Sequence, residues 1–273
     1  MFKIYKSQFS MLSVMLLTMF VVFSCSKKED ERTYWDAVEF TTSNNSFAFL
    51  ITSSIIPPAG DYGLPVMENV ANGGITGLDK ERFYYMSLYP QVLDPMYKPF
   101  AEKFLFRYDE SGDDTFENYP SFVNNLKNFS YELDDFNADV IAHQNSPTSV
   151  KVGNLVRANN GILTMYVKLQ YVGSFSENHS VAVYLYEKEL IASQETIASG
   201  EVSNFIHRNV FSSSVTSQYG DPISGTFESG HETELSFIHD YGTEDITNLG
   251  ILTVVYKLDS SNEPVGVYTV YRN

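Results

Sequence analysis

The strongest constraint on the fold is a hairpin signal in the second half of the chain. Asn159-Asn160-Gly161 stands between two apolar-rich runs, residues 150–156 and 162–172. Asn-Gly between such runs favours the tight turn of a β-hairpin. In the second run one face is apolar and the alternating positions between are mostly polar, as in a half-buried strand. The apolar face of that strand is predicted to hold Leu163, Met165, Val167, Leu169 and Tyr171.

The rest of this half also has the pattern of strands. Four more runs rich in Val, Ile, Tyr or Phe are predicted to be strands: residues 181–191, 226–238, 249–258 and 264–271. We therefore expect an antiparallel, immunoglobulin-like β-sandwich. Residues 200–223 interrupt the pattern with polar and Ser-rich sequence, and they are predicted to form a long crossover between the two sheets.

The first half alternates between strand-like and helix-compatible segments. The pattern predicts strands at residues 46–52 and 82–88, and helices at residues 63–71 and 94–108. Residues 118–125 are predicted to be a turn that enters another strand. Such alternation indicates an α/β layer, so the fold class of the whole chain is predicted to be α+β.

Two segments carry a family resemblance. The early β-α-β order, followed by Tyr119-Pro120-Ser121-Phe122, resembles a thioredoxin-like domain, in which a proline-led strand faces the active-site helix. Residues 205–210 and 219–223 are similar to the C-terminal domain of the outer membrane protein 28-related family. The resemblance spans about Val38 to Arg272. It implies a thioredoxin-like domain at residues 38–140 and a β-sandwich domain at residues 141–273.

The resemblance also implies that the redox motif is degenerate. Redox-active members carry Cys-x-x-Cys at the start of the first helix, where the helix dipole lowers the thiol pKa. Ser54 and Pro57 occupy those two positions here, and Pro58 follows them. Neither side chain can form a disulfide, so no thiol-disulfide catalysis and no cofactor are expected. Pro120 corresponds to the family's cis-proline, with an ordinary turn proline as the alternative.

The N-terminus is predicted to be a secretory leader. Lys3 and Lys6 precede an uncharged apolar run at residues 11–23, as in the n-region and h-region of a signal peptide. The run is shorter than the roughly 20 residues that a membrane-spanning helix needs. Residues 1–24 are therefore interpreted as a leader that is removed.

Cys25, the one cysteine in the chain, stands at the end of this leader. Val22-Phe23-Ser24-Cys25 resembles a lipobox, although Phe23 and Ser24 depart from its commonest form. We therefore predict that Cys25 carries acyl chains such as palmitate, which anchor the protein to a membrane. The alternative is a cysteine that stands there by chance and packs or stays free. Residues 25–37 are predicted to be a charged tether. Its acidic residues resemble the surface-export signals of some Gram-negative lipoproteins, with a plain spacer as the equal alternative.

Charge and motif content exclude several functions. The chain has 34 acidic and 18 basic residues, a net charge of -16, so nucleic acid is not expected as a partner. Acidic residues around Gly112 lack the spacing of a calcium loop. No metal site is predicted, because the histidines show no ligand spacing; they are expected to be exposed or capping. These are His143, His179, His207, His231 and His239.

Together these features predict a non-catalytic lipoprotein of the outer membrane of a diderm bacterium. Its partners are expected to be the membrane, through the lipid, and an unidentified protein or glycan, or a second copy of the chain. A glycan-binding lipoprotein and a thiol-disulfide oxidoreductase are the alternative hypotheses. The second is disfavoured because Cys-x-x-Cys is missing.

Overall fold

The computed structural model describes residues 31–55, 63–90, 93–101, 104, 121–129, 133–242 and 246–273. Helix α1 (Glu31–Asp36) belongs to an N-terminal unit, and Val38–Asn273 forms one compact unit. The predicted leader, Cys25, Pro57, Pro58 and Pro120 lie outside the described residues. No helix among the described residues combines the length and the apolar character needed to cross a membrane.

The larger unit is built mainly from strands. The first half contains β1 (Ser46–Ile51), β2 (Phe83–Leu88), β3 (Ser121–Asn124) and β4 (Lys127–Asn128), with helices α2 (Leu64–Ala71) and α3 (Leu133–Asn145). The second half contains β5 (Val150–Asn159), β6 (Ile162–Tyr171), β7 (His179–Thr196), β8 (Gly200–Ser214), β9 (Asp221–Ile223), β10 (Glu232–Asp240), β11 (Leu249–Leu258) and β12 (Pro264–Arg272). Short 3-10 helices at Lys80–Arg82 and Ile246–Asn248 lead into β2 and β11.

One mixed sheet runs through both halves in the order β12-β11-β7-β8-β2-β1-β3-β4, with β9 paired to β7. β1 and β2 are parallel, because α2 crosses over between them, and β3 and β4 follow as an antiparallel hairpin. In the first half the strand order is β4-β3-β1-β2, with helices α2 and α3. The halves join where β8 pairs in parallel with β2, at Val210 and Ser87.

A small antiparallel sheet, ordered β10-β6-β5, covers part of the large one. The predicted hairpin is confirmed: β5 and β6 meet at Asn160 and Gly161, both with positive φ. All five residues of the predicted apolar face of β6 are buried in the core between the two sheets. The predicted alternation therefore places the correct face of this strand inward. The fold is a mixed sheet with parallel pairs plus a small antiparallel sheet.

The prediction of a crossover at residues 200–223 is wrong. Gly200–Ser214 is strand β8, which forms a long hairpin with β7, and Asp221–Ile223 is strand β9. The polar side chains that interrupt the apolar pattern do not prevent pairing, because the ladder uses backbone groups. The register of β8 against β7 shifts between Leu185 and Tyr186 and between Ala192 and Gln194, so the strand alternation breaks at these two places.

Candidate functional site

The carboxyl end of β1 is occupied by a buried serine pair and an aspartate. Ser53 and Ser54 follow directly after Thr52, and both are nearly inaccessible to solvent. One carboxylate oxygen of Asp94 accepts a hydrogen bond of 2.6 Å from the Ser54 backbone N–H and one of 3.2 Å from the Ser53 hydroxyl. The other accepts one of 2.9 Å from the Met96 N–H. Asp94 therefore closes the turn that leaves β1.

The outer half of β7 covers this turn. The Gln194 side chain donates to the Ser53 carbonyl at 3.1 Å, and the Glu195 N–H donates to the Ser54 carbonyl at 2.8 Å. The Ser54 hydroxyl is buried and has no hydrogen-bond partner in the part of the chain that the structure describes. Ser54 is the one predicted redox-motif residue that can be placed, and it lies in the bend that follows β1, before helix α2 begins at Leu64. Its role stays a prediction.

The start of β3 lies beside the end of β1. Ser121, which follows Pro120 in the sequence, pairs with Ile51 at the last position of β1. Pro120 itself lies outside the described residues, so its isomer and its role stay predictions. The sheet nevertheless brings the start of β3 and the end of β1, which precedes Ser54, to the same end of the sheet.

A buried histidine completes the polar cluster, and sequence analysis missed it. His207 on β8 is fully buried, and its Nδ1 lies 2.8 Å from the hydroxyl of Tyr89, which follows β2. Burial lowers the pKa of His207, although the Asp94 carboxylate and backbone carbonyl groups of Ser193 and Ala192 oppose this. Burial raises the pKa of Tyr89 well above its ordinary value. The pair is therefore neutral at pH 7.

This cluster has the wrong arrangement for a hydrolytic triad. In a triad the carboxylate orients the histidine, and the histidine contacts the nucleophile. Here the Tyr89 hydroxyl contacts the ring of His207, while Asp94 is hydrogen-bonded to the turn at Ser53 and Ser54. The contacts hold the turn after β1 and the segment after β2 against the β7–β8 hairpin.

A second feature is a cleft of about 300 Å³ beside the end of α3. We call it the α3–β12 cleft. Its walls come from the end of α3 with the loop that follows, from the β3–β4 turn, and from the β11–β12 hairpin. The lining residues are Asn44, Asn125, Lys127, His143, Ser146, Pro147, Ser149, Lys257, Val265, Gly266, Val267 and Tyr268.

Two asparagine side chains fix the walls of the α3–β12 cleft. The Asn44 amide donates to the Ser146 hydroxyl at 2.8 Å and to the Ser146 carbonyl at 3.1 Å. Asn125, in the left-handed region with φ 51°, accepts from the Val267 N–H at 3.1 Å. The amide nitrogen of Asn125 therefore faces Nδ1 of His143, 3.5 Å away. The cleft is thus preformed by contacts distant in sequence.

The expectation that the histidines are exposed or capping is wrong for three of them: His143, His179 and His207. Each is on a helix or strand face that turns inward. The hydroxyl of Tyr171 lies 2.9 Å from Nε2 of His179, and Tyr89 supplies the corresponding contact to His207. Within the described ranges, no group of three or more His, Cys, Asp or Glu residues could hold a metal ion.

The aromatic side chains of the strands belong mainly to the core. Tyr171 stacks on Phe227 with ring centroids 4.2 Å apart, and the hydroxyls of Tyr184 and Tyr256 lie 3.0 Å apart in the interior. Such buried rings cannot stack on a sugar without unfolding the sheet.

The comparisons with known proteins agree with this architecture. The two sheets and the helices define a mixed α/β protein built mostly from strands. The family model of outer membrane protein Omp28 matches residues 121–273, more than half of the chain. The chain belongs to the Omp28 family of outer membrane proteins. The predicted recognition of this family is therefore confirmed.

A solved structure supports the fold. The chain is similar to HBP35 of Porphyromonas gingivalis, with a TM-score of 0.63 and 12% identity over 85% of this chain and 76% of that one. A β-glucosidase from Kluyveromyces marxianus matches 46% of this chain and 14% of its own, with 12% identity and a TM-score of 0.23, too low to carry an argument. A comparison with curated proteins found no match to this chain.

Proposed function

We propose that the protein is a non-catalytic lipoprotein of the outer membrane, whose folded body, residues 38–273, acts as a binding or assembly module. Membership of the Omp28 family supports the outer-membrane location. The proposal includes a thioredoxin-like domain over residues 38–140 that lacks the redox cysteines, and an immunoglobulin-like sandwich over residues 141–273. The partner is a protein, a glycan or a second copy of the chain.

The observation that carries the non-catalytic assignment is the carboxylate at the end of β1. Thiol-disulfide exchange needs a thiolate, and its formation is favoured by positive charge or a helix N-terminus. Here a carboxylate oxygen of Asp94 lies 3.2 Å from the Ser53 hydroxyl and 2.6 Å from the Ser54 backbone nitrogen. A thiol in this place would have its pKa raised, which disfavours the attacking form. The one cysteine of the chain, Cys25, is 29 positions before Ser54 in sequence.

The proposed anchor is lipid on Cys25. A single acyl chain gives marginal membrane binding, whereas two or more give stable attachment. The charged residues that follow Cys25 in the sequence suit a solvated tether between lipid and body. An anchored module of this kind presents its folded body at the membrane surface without a spanning segment.

The anchor is tested by metabolic labelling with an alkyne analogue of palmitate. The parent chain and a Ser26→Ala control should incorporate the label and fractionate with the outer membrane. The Cys25→Ala chain should incorporate none, because the thiol that accepts the lipid is absent. Equal labelling of Cys25→Ala and parent would refute the anchor.

The non-catalytic assignment is tested separately. The full-length chain, solubilised in detergent, is expected to show no turnover in an insulin-reduction assay with dithiothreitol. Turnover above the buffer rate would revive the oxidoreductase alternative. The glycan alternative is tested with the same material on a glycan array, and it has to use a surface other than the buried aromatic strands.

A further inference from the structure

We infer that the α3–β12 cleft binds a small dianion, either a dicarboxylate or a phosphate. This inference deepens the proposed binding role and rests on it. It adds a ligand class and the residues that would recognise it.

The charged residues that line the cleft are basic, whereas the chain as a whole is acidic. The whole sequence carries 34 acidic and 18 basic residues. The cleft lining contains Lys127, Lys257 and His143 and no acidic side chain. A concave surface lined by basic side chains on an acidic protein attracts anions more strongly than the surrounding surface does. We therefore expect anions to bind in the cleft rather than elsewhere on the surface.

The two lysines are available to a ligand although each has an ion-pair partner. Lys127 Nζ lies 2.7 Å from Asp139, and Lys257 Nζ lies 3.3 Å from Glu177. Neither carboxylate lines the cleft. The side chains of Lys127 and Lys257 are 64% and 47% exposed, and the pair of Lys257 with Glu177 is a surface pair of the kind that is weak, while Asp139 is only 14% exposed. A ligand with two negative charges can therefore compete with these carboxylates for the ammonium groups.

The size of the cleft limits the ligand to a small molecule. A volume of about 300 Å³ is at the lower end of ordinary ligand sites. This volume suits a small molecule. Val265, Val267 and Pro147 give one side an apolar character, which suits the carbon skeleton of an organic acid or phosphate ester.

The cleft is preorganised, so that binding does not have to order its walls. Asn44 and Asn125 tie together the end of α3, the β3–β4 turn and β12 by the hydrogen bonds described above. Burial lowers the pKa of His143, so its ring is neutral at pH 7 and the lysines supply the charge. Rigid walls of this kind raise affinity by reducing the entropy lost on binding.

Isothermal titration of the full-length chain in non-ionic detergent, at pH 7.5 and low salt, tests the inference. The probes are succinate and inorganic phosphate, with acetate and glycerol as the monoanionic and neutral controls. At least one dianion should bind about tenfold more tightly than acetate, and added NaCl should weaken it. The succinate and phosphate titrations distinguish carboxylate from phosphate chemistry.

Variants assign the binding to the cleft. Lys127→Gln and Lys257→Gln should each weaken dianion binding at least roughly fivefold, whereas the control Lys188→Gln should leave it unchanged. Lys188 is exposed on β7 and donates to the Thr247 carbonyl, outside the cleft lining. If a Gln variant does not fold, the corresponding Arg variant keeps the charge and should bind like the parent. No dianion binding, or an equal loss in Lys188→Gln, would overturn the inference.

This result is separable from the proposed function. If Cys25 is labelled and the chain fractionates with the outer membrane while no dianion binds, the lipoprotein proposal stands and the cleft inference fails. If labelling fails and a dianion still binds through Lys127 and Lys257, the cleft inference stands without the anchor.

Discussion

Replacing Asp94 by alanine should be among the most destabilising single changes in the first half of the fold. The side chain is 4% exposed and accepts three hydrogen bonds, from the Ser54 N–H, the Ser53 hydroxyl and the Met96 N–H. In the Ala variant the two backbone N–H groups lose their acceptor in a buried place. The turn that leaves β1 would then keep its hydrogen bonds to β7, from the Gln194 side chain and the Glu195 N–H.

The magnitude follows from these contacts. A buried donor left without an acceptor costs about 1–3 kcal/mol, and two such donors remain at Ser54 and Met96. We therefore expect Asp94→Ala to lower the free energy of unfolding by about 3–5 kcal/mol. Asp94→Asn should lower it by about half as much, because one amide oxygen can still accept while the amide nitrogen cannot.

Urea unfolding of each variant, followed by circular dichroism, measures this free energy. Glu228→Ala is the matched control, since it removes an exposed carboxylate, and it should change the value by less than about 0.5 kcal/mol. A loss below about 1 kcal/mol in Asp94→Ala would refute the reasoning. It would mean that water or a rearranged turn satisfies the donors, and that the carboxylate does not define this end of β1.

Two further predictions concern stability. The free energy of unfolding should fall as the pH drops below about 6.5, since burial lowers the folded-state pKa of three histidines and the unfolded chain then binds protons first: His143, His179 and His207. Equal urea midpoints at pH 7.5 and 5.5 would contradict this. Gly250→Ala should lower the free energy of unfolding by about 2–4 kcal/mol, because a Cβ there would lie 2.1 Å from the ring of buried Tyr186. Gly266→Ala, whose Cβ would meet nothing closer than 3.7 Å, is the control, and a similar loss in both variants would rule out the steric cause.

Local patterns account for the strands and helices that were predicted correctly. The alternation in β6 is a property of consecutive residues, so it identifies both the strand and its buried face. The helix at residues 64–71 and the strand at 83–88 are likewise indicated by local composition and by the residues that interrupt helices and strands. The prediction of a crossover at residues 200–223 failed because it also relied only on the local sequence pattern. β8 is stabilised by its pairing with β7, which the polar side chains of β8 do not reveal.

The candidate sites could be predicted only in part. Ser54 was singled out through a family resemblance, and its predicted role as a degenerate redox-motif position stays a prediction; the structure places it in the bend after β1. Asp94 and His207 were not identified, because nothing around them in the sequence marks them as polar groups of the interior. Asp94 meets Ser54 across 40 positions, and His207 meets Tyr89 across 118. Likewise, the cleft residues Asn44 and Ser146 are 102 positions apart.

The sequence by itself determined the strand-rich character of the chain, the hairpin at Asn160-Gly161, the one cysteine and the acidic charge. These depend on composition or on neighbouring residues, which an unfolded chain already has. Tertiary structure alone decided that β8 joins the two halves into one sheet, which histidines are buried, and that two lysines line a cleft without acidic side chains. The reason is physical: burial and local charge are set by which distant segments pack together, and neighbouring residues do not show which distant strand a strand pairs with.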